Sequence, residues 1–149
     1  MMRNSQFICA MAVDSNTFDH SERVFEIAVL GCSKEGTDNA EFCSRLMDVA
    51  YLHDVVEDSS WTLDDLERLG GFGEEVIDAV DLLTRKPPYD YSAYIDRICD
   101  SDNEIAIRVK LADIEDHLTW GDCGEGLRKR YEKAKGKLEE VLRNRQIGS

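Results

Sequence analysis

The stretch Val49-Ala50-Tyr51-Leu52-His53-Asp54-Val55-Val56-Glu57-Asp58 sets an imidazole beside a carboxylate in an apolar helical run. Phe42, Leu46, Val49-Ala50 and Leu52-His53 recur at three- and four-residue intervals, and Val56 extends the same face. That is the period of an amphipathic helix. His53 and Glu57 stand four apart, as do Asp54 and Asp58, so a continuous helix places each pair on one face.

The same period recurs along the rest of the chain. Phe7 to Val13 reads as a short packed N-terminal helix, and Val24, Ile27, Ala28 and Val29-Leu30 give a face ending near Gly31. Thr62 caps a short helix with Asp65 as its partner, Trp61 and Leu66 occupy the staple positions, and Gly70-Gly71 ends it. Val76, Ile77, Val80 and Leu83 mark a helix stopped by Pro87-Pro88, and Tyr94, Ile95 and Ile98 a short one after Asp90. Ile105 to Leu118 is mostly apolar and reads as central, with Trp120 anchoring its end. Leu127, Tyr131, Ala134, Leu138 and Val141-Leu142 step along a charged final helix. No sustained period-two alternation and no Asn-Gly or Asp-Gly turn interrupts them. The expectation is an all-α bundle of about seven helices. It forms one domain over residues 1–149, with 1–19 a distinct N-terminal segment.

The chain of 149 residues has a net charge of −13 and no basic stripe broken by aromatics, which argues against nucleic-acid binding. Its longest early apolar run, Phe7 to Val13, is far short of the roughly 20 residues that cross a bilayer. Five cysteines, Cys9, Cys32, Cys43, Cys99 and Cys123, form no C-x-x-C pair and read as small packed residues in a reducing, cytoplasmic setting. Tyr91 and Tyr94 read as packing groups.

A second polar cluster lies downstream, in Lys110-Leu111-Ala112-Asp113 followed by Asp116-His117. Asp113 and His117 share a helix face. Asp113 sits in an apolar run, where an unpaired carboxylate is costly. A metal removes that cost, because histidine nitrogen and aspartate oxygen suit Mn, Fe, Co or Zn. A divalent ion lowers the pKa of water and neutralises phosphate charge, while a nearby carboxylate handles the proton.

These stretches resemble the HD-domain phosphohydrolase superfamily. More narrowly, they resemble small stand-alone HD proteins related to the RelA/SpoT-type (p)ppGpp hydrolase domain. The resemblance runs from about His20 to near the C-terminus. It rests on Tyr51 to Asp58, Thr62 to Leu66, Asp81-Leu82-Leu83-Thr84-Arg85, Tyr91 to Arg97, Val109 to Asp113 and Arg130 to Ala134.

The resemblance implies that His20, His53, Asp54 and Asp113 hold a divalent transition metal, Mn first, with Fe, Co or Zn as alternatives. Only three histidines occur, which fits one metal rather than the histidine-rich two-metal versions of the fold. Glu57 and Asp58 are implied to manage the proton of the attacking water or of the leaving oxygen. Arg85, Lys110, His117 and Arg130 are implied to meet the substrate, a nucleotide bearing a phosphate or pyrophosphate ester, with the 3'-pyrophosphate of (p)ppGpp the narrower expectation.

The chain also departs from that pattern. Ser21 replaces the proline after the first histidine, and extra residues around Lys34 to Asn39 lengthen the spacing to His53. His117 stands where the relatives carry Asn. Met11 to Asp19 contains no basic residue, Gly or Pro, where relatives carry a basic segment. These departures motivate a second expectation: a catalytically silent HD domain that binds a nucleotide or a protein. The sequence leaves the oligomeric state open.

Overall fold

The computed structural model describes residues 2–34, 39–121 and 124–147, and no strand occurs among them. The all-α expectation holds. The elements are α1 (Asn4–Ala12), α2 (Ser15–Lys34), α3 (Ala40–Leu52), α4 (Val55–Asp58), α5 (Leu63–Arg68), α6 (Glu74–Leu83), α7 (Tyr91–Ser101), α8 (Glu104–Trp120) and α9 (Glu125–Ile147).

Local chemistry sets the helix ends. The Asn39 side chain accepts from the backbone N–H groups of Glu41 and Phe42 at the start of α3. Thr62 and Asp65 form the expected reciprocal capping box on α5. Asp90 and Asn103 cap α7 and α8 by accepting from Ala93 and Ala106. After α5 the chain reverses through Gly71 at φ +73°, a conformation that suits glycine. A Cβ on the preceding Gly70 would lie 2.6 Å from the Leu66 carbonyl oxygen.

Helix α8 is buried on nearly every side, with Arg108, Lys110, Asp113 and Asp116 buried among its apolar residues. It packs against α2, α3, α6, α7 and α9, and α2 also lies along α3. Val24, Leu46, Val49, Leu52, Ile107 and Ile114 are fully buried between them. Each such side chain stabilises the fold by roughly 1.5–3 kcal/mol relative to exposure. Three helices thus meet where α2 carries His20, α3 gives way to His53 and α8 carries Asp113.

The structure corrects three expectations. Helix α2 does not end near Gly31 but runs on to Lys34, and it begins at Ser15, so His20 sits inside the helix. The helix through Tyr51 to Asp58 is not continuous: α3 ends at Leu52, and His53-Asp54 forms the turn into the single turn α4. The nine helical segments among the described residues, with α4 and α5 only four and six residues long, agree with a bundle of about seven helices. Trp120 anchors nothing in the core; it is 70% exposed, with the Arg23 guanidinium 5.7 Å from its ring.

Tyr94 packs as expected, buried with its hydroxyl donating to the Leu83 carbonyl. Cys9, Cys32, Cys43 and Cys99 form no disulfide among the described residues, and the first two are buried. Cys123 and residues 35–38, within the stretch Lys34 to Asn39 expected to lengthen the spacing, lie outside the described residues. No described helix is long and apolar enough to cross a membrane.

Candidate metal centre

His53 and Asp54 are neighbours in sequence, and neighbours on a regular helix point about 100° apart. The break after Leu52 removes that constraint. With Asp54 at φ −105°, ψ −6°, its carboxylate comes back to 3.2 Å from His53 Nε2. The other ring nitrogen of His53, Nδ1, donates to the Ala50 carbonyl at 2.6 Å. That bond keeps a proton on Nδ1, so the neutral imidazole offers its lone pair from Nε2. Nε2 is buried without a hydrogen-bond partner among the described residues, and it faces Asp54 and Asp113.

From α2, His20 directs Nε2 to the same point. It lies 2.8 Å from Asp113 Oδ1 and 3.7 Å from Asp54 Oδ2. Its Nδ1 donates to Asp116 at 2.6 Å, and Asp116 in turn accepts from Arg23 Nε at 2.7 Å. From α8, Asp113 offers Oδ1 to the centre, while Oδ2 accepts from Lys110 Nζ at 2.7 Å.

His20, His53, Asp54 and Asp113 can hold a metal ion, since one donor atom from each lies within 4.8 Å of the others. The individual spacings of 2.8 to 3.7 Å suit ligands of one ion. Ligands about 2.1 Å from a common ion and about 90–110° apart are separated by about 3.0–3.4 Å. Two imidazoles and two carboxylates form a mixed N/O set for a divalent transition metal. Each imidazole is held through its other nitrogen by a backbone carbonyl or a carboxylate, the usual support of a metal-ligating histidine.

The electrostatics are tightly coupled. Burial opposes charge on every member, yet the ionic partners prevail. Asp54 and Asp113 push the His53 imidazole well above its ordinary range. Burial also lowers His20, but its bond to Asp113 leaves it raised. Lys110 and the histidines hold Asp113 well below the usual carboxylate range against its burial. Without a metal, the charge balance of the centre is carried by protons on the imidazoles.

Beside the donors opens a cavity of about 170 Å³ lined by His53, Asp54, Glu57, Arg85, Tyr91 and His117, among others. Glu57 is on its wall, where its carboxylate accepts the Arg85 backbone N–H. Burial, with Asp54 adding repulsion, outweighs that bond and raises the Glu57 carboxyl. Asp58 is exposed and does not line the cavity, because consecutive helical residues diverge.

Of the residues expected to meet substrate, Arg85, Lys110 and His117 line this cavity and Arg130 does not. Arg85 reaches the cavity rim. Lys110 is buried and bound to Asp113, with its ammonium 5.1 Å from the Tyr94 ring, so it balances charge inside the centre. His117 turns Nε2 to 3.3 Å from Asp113 Oδ1 and stacks on Tyr131. Arg130 lies outside, 5.2 Å from the Tyr91 ring centre.

The Arg23–Asp116–His20 chain escaped the sequence reading. The available signal was a pair of matching spacings: His20 and Arg23 are three apart on α2, and Asp113 and Asp116 are three apart on α8. Only the crossing of the two helices shows that these faces meet.

Among known proteins, the chain matches no family model and no curated protein sequence.

Proposed function

We propose that this protein is an HD-type, metal-dependent phosphohydrolase acting on a phosphate or pyrophosphate ester of a nucleotide. The observation that carries the reading is the convergence of four donor atoms from α2, the α3–α4 turn and α8, beside a cavity that Glu57 also lines. His20, His53, Asp54 and Asp113 would hold the ion, for which manganese is the first choice and iron, cobalt or zinc the alternatives. The ion's chemistry is to acidify water and offset phosphate charge.

The protein's own groups do the rest. Glu57 takes the proton from the attacking water, a role helped by a carboxyl that burial makes more basic. Arg85 at the rim meets phosphate oxygens. Asp116, held by Arg23, keeps His20 oriented. A cytoplasmic place of action suits four cysteines that form no disulfide among the described residues.

The deciding experiment is a nucleotide-panel hydrolysis screen with Mn, Co, Zn and Mg, including (p)ppGpp, with Asp54→Asn as control. Cleavage that needs metal and is lost in Asp54→Asn supports the reading. No cleavage of any nucleotide with any of the metals counts against it.

The alternative, a silent nucleotide- or protein-binding domain, is favoured by the absence of any basic residue from Met11 to Asp19. It expects Asp54→Asn and Glu57→Ala to leave the biological role intact.

A further inference from the structure

We propose that the groove between α7 and α9 binds a phosphate or polyphosphate group at the end of the substrate remote from the metal centre. This rests on the phosphohydrolase reading and adds to it a second anion-binding subsite.

Size gives the first argument. Pockets for small molecules measure roughly 300–1,000 Å³. The cavity at the metal centre, at about 170 Å³, admits a phosphoryl group but not a whole nucleotide. The rest of the substrate must extend beyond it. A groove of about 370 Å³ adjoins it across Tyr91, which lines both.

Charge gives the second. Helix α9 carries eight lysines and arginines against four glutamates, in a chain of net charge −13. Several of these cations are paired, as Lys129 with Glu125, Lys135 with Glu115 and Arg145 with Asp102. Arg130 and Lys133, which line the groove, have no carboxylate partner among the described residues. Lys137 lines it as well, shared with Asp96. The one acid lining the groove, Asp90, has a carboxylate oxygen engaged by the Ala93 N–H. Exposed cations left without acids on so acidic a protein favour an anionic ligand.

The wall between the two cavities gives the third. The Tyr91 ring has Lys110 Nζ at 5.7 Å and Arg130 Cζ at 5.2 Å from its centre. Its hydroxyl is buried with no hydrogen-bond partner among the described residues. A substrate crossing from one cavity to the other would supply that partner. The apolar side of the groove, from Ile95 and Ala134, offers no competing acceptor for the cations.

The test uses the full chain stripped of metal by chelator, with inorganic tripolyphosphate as the probe, by calorimetry at low salt. Without metal, binding reports the groove rather than the metal centre. Wild type is expected to bind. Lys133→Glu, at an exposed position, is expected to weaken binding about tenfold or more, and Lys133→Arg to stay within about twofold. Lys129→Glu makes the same charge change on α9 outside the groove and is expected to have little effect. With metal restored, Lys133→Glu should raise KM for a cleaved nucleotide more than it lowers kcat. Absence of tripolyphosphate binding to wild type, or equal weakening by Lys129→Glu, overturns the proposal. Nucleotide cleavage without tripolyphosphate binding removes the groove and leaves the phosphohydrolase reading. Lys133-dependent binding with no cleavage of any nucleotide does the reverse.

Discussion

His20 donates from Nδ1 to Asp116 at 2.6 Å, and that bond turns Nε2 toward Asp54 and Asp113. Asp116 is itself fixed by Arg23, so an α8 carboxylate and an α2 guanidinium together orient a donor they do not replace.

Asp116→Ala should therefore lower metal affinity by about 10–100-fold without abolishing binding. Competition against a chromogenic chelator measures it. Affinity equal to wild type would show that His20 needs no support.

The donors and the proton-handling group should separate experimentally. His53→Gln and Asp113→Asn should purify without bound metal, as read by elemental analysis. Glu57→Gln should keep the metal but lose about 10²–10⁴-fold in kcat on a cleaved nucleotide. Loss of metal in Glu57→Gln would make Glu57 a ligand rather than a base.

Protons and metal should compete. Burial lowers His20 and His53, but the surrounding carboxylates raise both overall. A histidine raised in the folded state stabilises folding below its unfolded pKa, and that contribution disappears as pH rises through the elevated value. Added Mn should then stabilise the protein more at about pH 8 than at about pH 6, because metal needs neutral imidazole. At a concentration one hundred times Kd the gain is about 2.7 kcal/mol. Thermal melts with and without Mn across that range check it, and a gain independent of pH would contradict it.

Lys110 balances the buried charge of Asp113 through a 2.7 Å contact. Lys110→Met should destabilise the metal-free protein by about 3–5 kcal/mol, since it strands a buried carboxylate. Urea unfolding gives the value. A change under about 1 kcal/mol would mean the imidazolium groups already compensate Asp113.

The sequence alone pointed to the helical class, because most long segments repeat apolar residues at three and four, although Ile105, Ile107, Val109 and Leu111 in α8 fall at every second position. It also marked Thr62 and Asp65 as a cap, and His53, Asp54 and Asp113 as polar groups in apolar runs. Those features are local: periodicity, capping and the cost of burying charge act within one helix. The meeting of His20 with Asp116, the turn of Asp54 back onto His53, the retreat of Lys110 to Asp113 and the position of Arg130 beyond Tyr91 were decided only by tertiary structure. They depend on how α2 and α9 lie against α8 and on where α3 breaks. No residue spacing encodes such relations, because the distances involved run between helices rather than along one.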